Sequence, residues 1–289
     1  MKRLLLLALL LLLSACAPGV TSVISPPTFR VVESKLVRFE PSGVGAGNAL
    51  VTLRLETRNP NPVPLRLAGL DGDFYLGGQR VAATSFNDGI ALPANGAAQL
   101  NLDVAVPVEG AAQVLNQFAR LVAGDPVGYR VDATVSVDVF GAPQRFPTLT
   151  VARGELQVAG GLRPPAVRFE PSATRVSFSG LTARVDVGLV IDNPLPIGYF
   201  VRGPQVTLEL DGRPVGRASI PRTPVPAHGT SPAALRFEVG IADAGAALLS
   251  RLQAGGSGLS FSLDGVLEVE IPAVASTRTS LDRVGGLLP

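Results

Sequence analysis

The sequence predicts a mainly β protein made of two tandem β-sandwiches, each with about seven strands and one helix. Two observations carry that prediction. Apolar residues recur at every second position through most of the chain, and the first half returns in the second at a nearly constant offset. Strands turn successive side chains to opposite faces, so a period of two marks half-buried strands. A repeat of this length marks a duplicated folding unit.

The first element is a leader. Lys2 and Arg3 precede a ten-residue apolar run, Leu4 to Leu13, followed by the small residues Ser14 and Ala15 and then Cys16. The run is too short to span a membrane, and the order is that of a secretory signal peptide covering residues 1–15. Leu13-Ser14-Ala15-Cys16 resembles the bacterial lipobox. That resemblance implies cleavage before Cys16 and lipid on its sulfur and amine, with the lipid bilayer as partner. Cys16 is the only cysteine, so no internal disulfide is open to it. Several acyl chains give stable anchoring where one gives only marginal binding. The expected location is the cell envelope, facing the periplasm or exterior. Ala17 rather than Asp in the next position favours the outer membrane where there is one. Residues 16–34 hold Pro26-Pro27 and no clean periodicity, and are expected to form a tether.

Loss of the leader removes Lys2 and Arg3 and leaves 23 basic against 23 acidic residues, so the mature chain is formally neutral. No Lys/Arg block is present and Lys35 is the last lysine, which excludes the concentrated positive surface that nucleic acid requires. The chain has no Trp and three Tyr, too few for a base- or sugar-stacking platform.

Sandwich one is placed at 35–155. Val51, Leu53 and Leu55 form one alternating strand; Leu100, Leu102, Val104 and Val106 another; Val131 to Val139 a third. Val108, Ala111, Ala112, Leu115, Phe118, Leu121 and Val122 instead follow helical spacing and stop at Gly124, as helix C-termini often do. A linker at 156–163 leads to sandwich two at 164–281, and residues 282–289 are read as a tail. Here Val185 to Ile191, Val206 to Leu210, and Leu235 to Val239 alternate, while Ile241, Ala244, Leu248 and Leu252 take helical spacing before Gly255.

The copies align in detail. LVRFEPSG from Leu36 returns as AVRFEPSA from Ala166, 130 residues on; RNPNPVP from Arg58 returns as DNPLPIG from Asp192, 134 residues on. ARLVAG (119–124) falls on SRLQAG (250–255). The Asn-Pro motifs, Asn59-Pro60-Asn61-Pro62 and Asn193-Pro194 with Pro196, read as fold devices first, with ligand contact as the alternative. Proline cannot donate a ladder hydrogen bond, and it holds the preceding Asn extended while the Asn amide bonds to nearby main chain. The prolines are expected to blunt an exposed sheet edge.

These residues carry a resemblance. The strand into NPNP, then Gly69-Leu70 with Tyr75-Leu76-Gly77-Gly78 and Val81-Ala82, then IALPANG (90–96), is similar to the late embryogenesis abundant type 2 family, which includes the water-stress and hypersensitive-response domain. In the second copy Leu208 to Gly212 and IPRTPVPAHG (220–229) take the corresponding places, with Leu208 at the tyrosine position. The resemblance implies an immunoglobulin/fibronectin-like sandwich with one helix, no cofactor and no catalytic residue, and a protective or partner-binding role in water stress. Envelope proteins or lipids are the expected partners. The alternative is a scaffold or lipid-carrying component of an envelope assembly or transport system.

An enzyme finds little to work with. His228 is the only histidine and reads as a turn residue in PAHG, so neither a His/Cys zinc cluster nor a Cys-His pair can be built. Ser231 lies close to His228, but no G-x-S-x-G is present. Asp71 with Asp73, and Glu268 with Glu270, share strand faces as solvated carboxylates. Gly77-Gly78 and Gly160-Gly161 lack the lysine of a phosphate-binding loop. Catalytic, cofactor and metal residues are therefore expected to be none.

Overall fold

The structure is a computed structural model that describes residues 24–43, 46–109, 112–158, 161–254, 258–272, 274–281 and 284–288. Leu13, Ser14, Ala15 and Cys16 lie outside the described residues, as does Gly255. Unit one runs β1 (Thr28–Gly43), β2 (Ala46–Arg58), β3 (Leu65–Leu76), β4 (Gln79–Phe86), β5 (Ile90–Leu92), β6 (Ala97–Glu109), α1 (Ala112–Ala123), β7 (Val127–Val139) and β8 (Ala142–Leu156). Unit two runs β9 (Ala166–Phe169), a 3-10 turn at Pro171–Ala173, β10 (Arg175–Ser179), β11 (Thr182–Asp192), β12 (Tyr199–Leu210), β13 (Arg213–Val225), β14 (Thr230–Gly240), α2 (Ile241–Gln253), β15 (Ser260–Ile271), β16 (Ala275–Ser280) and β17 (Val284–Leu287).

The molecule is mainly β, with two repeated multi-strand units and one short helix in each. Unit one has a sheet in the order β1-β2-β6 and a second in the order β4-β3-β7-β8, with β5 also on β3. Unit two repeats both: β10-β11-β14 with β9 on β11, and β13-β12-β15-β16 with β17 on β15. All these ladders are antiparallel. When β4 and β5, β9 and β10, and β16 and β17 are each taken as one interrupted strand, every unit has the seven expected.

The two-residue period does what it predicts. Ala49, Val51, Leu53 and Leu55 of β2 are buried, as are Val131, Ala133, Val135 and Val137 of β7 and Val185, Val187, Leu189 and Ile191 of β11. Each of these Val, Leu and Ile side chains contributes roughly 1.5–3 kcal/mol on burial. The helices bury most of the expected face: Phe118, Leu121 and Val122 in α1, where Leu115 is half-buried and Ala112 is exposed, and Ala244, Leu248 and Leu252 in α2. Val108 belongs to β6, so helix one starts later than its stripe. Gly124 ends α1 in a left-handed conformation (φ 92°) that glycine adopts without a Cβ clash.

Three readings change. The expected tether extends to residue 34, yet β1 begins at Thr28. A register shift between Val31 and Glu33 breaks the alternation there, which hides a strand from a search for period two. The expected tail forms β17: Val284 and Leu288 are buried, and Gly285 lets the strand approach Phe261, whose carbonyl oxygen would lie 2.5 Å from an added Cβ. Third, the two FEPS stretches are not structural equivalents. Phe39 pairs with Ala49, whereas Phe169 pairs with Leu189, the counterpart of Leu55. The residue of unit two at the register of Phe39 is Phe178, opposite Ala183. Unit two breaks its first strand after Phe169 because Gly188 replaces the exposed Arg54 of unit one. The 3-10 turn packs where a Cβ on Gly188 would meet Ala173, and the Thr174 hydroxyl accepts the Gly188 N–H at 3.0 Å.

Candidate functional site: the Asn-Pro loops and the junction between units

Both Asn-Pro loops leave a central strand, β2 or β11, and cross to the other sheet of the same unit. The expectation that the prolines blunt an edge is therefore corrected: the strands before them are flanked on both sides. The prolines instead occupy a crossover in which the asparagine amide replaces the missing ladder.

Asn59 is fully buried. Its Nδ2 donates to the carbonyls of Val63 at 2.8 Å, Pro93 at 3.0 Å and Leu92 at 3.3 Å, and its Oδ1 accepts the Asn61 N–H and the Asn61 Nδ2, each at 2.9 Å. Asn193 does the same work in unit two. Nδ2 donates to Ile197 at 2.8 Å and Pro226 at 2.9 Å, and Oδ1 accepts the Leu195 N–H at 3.0 Å. Pro60, Pro62, Pro194 and Pro196 lie between these bonds and donate none. The partner turns match as well. Asn95 (φ 52°) and His228 (φ 50°) hold equivalent left-handed positions, and their N–H groups donate to Asn61 and Leu195. His228 is thus a turn residue, with Nδ1 3.1 Å from the Pro194 carbonyl oxygen.

Each loop then grips an extended segment of chain. In unit one the segment is residues 24–27: the Ser25 N–H donates to Asn61 Oδ1 at 2.8 Å and the Ser25 carbonyl accepts from Asn61 Nδ2 at 2.9 Å. The asparagine amide thereby stands in for one peptide unit of a neighbouring strand. In unit two Leu195 occupies that position, and the loop grips unit one itself. Phe39 N–H donates to the Pro196 carbonyl and Gly198 N–H to the Phe39 carbonyl, both at 2.7 Å, forming a parallel bridge to Ile197. Ala227 N–H donates to Glu40 Oε1 at 3.0 Å. Gly198 is required for the approach, since a Cβ there would run into the Glu40 carboxylate and Pro41. Phe39 is stacked on Phe118 of α1 with ring centroids 5.1 Å apart. The Asn-Pro end of unit two therefore seats on the helix end of unit one. Tyr199, just beyond Gly198, is buried with no hydrogen-bond partner for its hydroxyl among the described residues. Burial, and then the charge of Asp192, hold its phenol well above the usual value.

The acidic pairs are surface features. Asp73 is paired with Arg80 at 2.7 Å, Glu268 with Arg202 and Arg278 at 2.6 and 3.0 Å, and Glu270 with Arg222 at 3.5 Å. Among the described residues no group of three His, Cys, Asp or Glu could hold a metal ion, and no helix is long and apolar enough to cross a membrane.

Residues 54–147, from the middle of β2 into β8, match the family model described as late embryogenesis abundant protein, LEA_2. This stretch is a LEA_2-type domain. It contains Asn59, the loop that Asn59 ties, the hairpin at Gly77-Gly78 and helix α1, which are the parts that unit two repeats. No curated protein matches the chain. Among solved structures, similar chains include a protein from Archaeoglobus fulgidus, at 12% identity and a TM-score of 0.29, covering 46% of this chain and 96% of that one. A protein of unknown function from Porphyromonas gingivalis W83 has 16% identity and a TM-score of 0.24, covering 91% and 100%. At those identities and scores the likenesses carry no argument. A LEA_2-type domain fits a non-enzymatic protein.

Proposed function

We propose that this chain is a lipoprotein of the cell envelope, held to a membrane by acylated Cys16, that protects or binds envelope partners under water stress. The observation that carries the reading is the order of the leader: a positive start, ten apolar residues, then Leu13-Ser14-Ala15-Cys16 with no other cysteine in the chain. The LEA_2-type domain supports the stress role. Each unit is read as an immunoglobulin/fibronectin-like sandwich that offers surface rather than chemistry. Phe74, Phe118, Phe237 and Tyr199 are among the large side chains that fill the interior, which favours this reading over a lipid carrier. Outer-membrane delivery follows from Ala17 where the cell sorts by that residue. The test is survival of drying by cells lacking the protein. Complementation by the wild-type chain and not by Cys16→Ser supports the reading, and equal survival of the deletion and its parent contradicts it.

A further inference from the structure

The Asn-Pro end of unit one is exposed, whereas that of unit two is seated on its neighbour. Four segments meet there: residues 24–29 before and into β1, the loop 59–65, the stretch 90–98, and the β7–β8 turn at 139–144. Register places them together, because Thr28 and Ala97 both pair with Arg58, Leu65 pairs with Leu92, and Arg66 pairs with Asp138. None of the four carries a charged residue. Proline (Pro26, Pro60, Pro62, Pro64, Pro93, Pro143) is the commonest exposed residue there, alongside small and uncharged polar ones. The nearest charges along the chain, Arg30, Arg58, Arg66, Asp88, Asp138 and Arg145, border it as a mixed rim with four arginines and two aspartates.

At the tip of the β7–β8 turn stands Phe140, 81% exposed. Its backbone is left-handed (φ 53°), followed by Gly141 at φ 84°, with the Asp138 carboxylate accepting the Gly141 N–H at 2.7 Å. The other non-glycine residues with positive φ among those described are Asn95, Asp211 and His228, types that tolerate that region. Phenylalanine is disfavoured there by its backbone and by its hydration, so the turn is better served locally by Asn. Such an outlier points to a use outside the fold.

We propose that this end of unit one is a membrane-contact face, with Phe140 inserted at the headgroup level of the bilayer that holds Cys16. A phenyl ring gains by leaving water for the headgroup/acyl boundary, and a rim in which arginines outnumber aspartates suits it. The proposal rests on the lipid anchor, and the place of Ser25 directs it. Asn61 fixes Ser25 to this end, and the eight residue steps from Cys16 to Ile24 reach at most roughly 28 Å. A second copy of the chain fits less well. Pro64 stands where Gly198 donates in the junction between units, and residues 24–27 already occupy Asn61, so the bridge of that junction cannot be repeated here.

The chain has no tryptophan, so Phe140→Trp gives a single reporter, and Phe178→Trp at the far end of unit two gives its control. The full lipidated proteins are reconstituted into vesicles of phosphatidylethanolamine and phosphatidylglycerol, with and without brominated acyl chains. Blue-shifted emission and bromine quenching at position 140, with neither at 178, support the proposal. Vesicle-bound protein whose two reporters behave alike overturns it. A blue shift at 140 that needs protein concentration and no vesicles assigns the face to a second copy and overturns it too. Protein that fails to float with vesicles and carries an unmodified Cys16 overturns the anchor itself, and this contact with it.

Discussion

Replacement of Asn59 by Ala is the sharpest test of the view that the Asn-Pro motif is a fold device. The side chain is fully buried and satisfies the Val63 and Pro93 carbonyls and the Asn61 N–H, with bonds of 2.8–3.0 Å. Truncation leaves these groups without their partner in a loop whose prolines supply no substitute donor. Each buried group left unsatisfied costs about 1–3 kcal/mol. Three groups in one network, with some relaxation, set the expected loss at about 3–5 kcal/mol, and the same reasoning holds for Asn193→Ala. Asn59→Asp, nearly isosteric, should fare no better, because a carboxylate would face three carbonyl oxygens. Urea unfolding of residues 16–289 is the assay, read by a single tryptophan at the buried position of Phe86 for unit one and of Phe261 for unit two. Asn59→Ala should move the first transition more than the second, and Asn193→Ala the reverse. An Asn59→Ala protein within about 1 kcal/mol of the parent would refute the reasoning and reopen the motif as a contact site.

Three further outcomes follow from the same geometry. Phe39→Ala should cost about 3–5 kcal/mol and loosen the junction between units, while Phe178→Ala, at the equivalent register but 41% exposed, should stay within about 0.5 kcal/mol, as thermal unfolding will show. Tyr199→Phe removes a buried hydroxyl that lacks a partner and should be neutral or stabilising. Because the folded-state phenol is held above its unfolded value of about 10, stability in the parent is complete below that pH and falls as pH rises above it, a loss the variant should lack in alkaline unfolding. Hydrogen bonds from Ser260, then Arg251, hold the Asp211 carboxyl below its usual value. Its contribution is therefore present above pH about 4 and lost as pH falls through the lower folded-state value, and Asp211→Asn should flatten that part of the acid limb.

Much of this architecture is legible in the sequence because alternation, glycine turns and the duplication agree with one another. The hairpins at Gly77-Gly78 and Asp211-Gly212 carry positive φ at both positions, as two-residue turns between antiparallel strands require. What escapes reading has local causes. β1 is bulged between Val31 and Glu33, β17 is short and glycine-rich, and the FEPS repeat is displaced by a turn that only Gly188 permits. The role of Asn59 as a main-chain ligand follows from Asn before Pro. That of Asn61 does not, because its partner Ser25 lies in a stretch without periodicity. The junction between units is also illegible, since Phe39 and Phe169 share VRFEPS in sequence while only Phe39 is bridged to the loop of unit two. Phe140 has a sequence signal, Phe-Gly where a two-residue turn favours Asn-Gly.

The mature N-terminus tests the membrane anchor most directly. Mass spectrometry of the N-terminal peptide from the membrane fraction should find a chain that begins at Cys16 and carries a thioether-linked diacylglycerol, with an acylated amine where the cell supplies that step. A mature chain that begins elsewhere, or a Cys16 that carries no lipid, would contradict it.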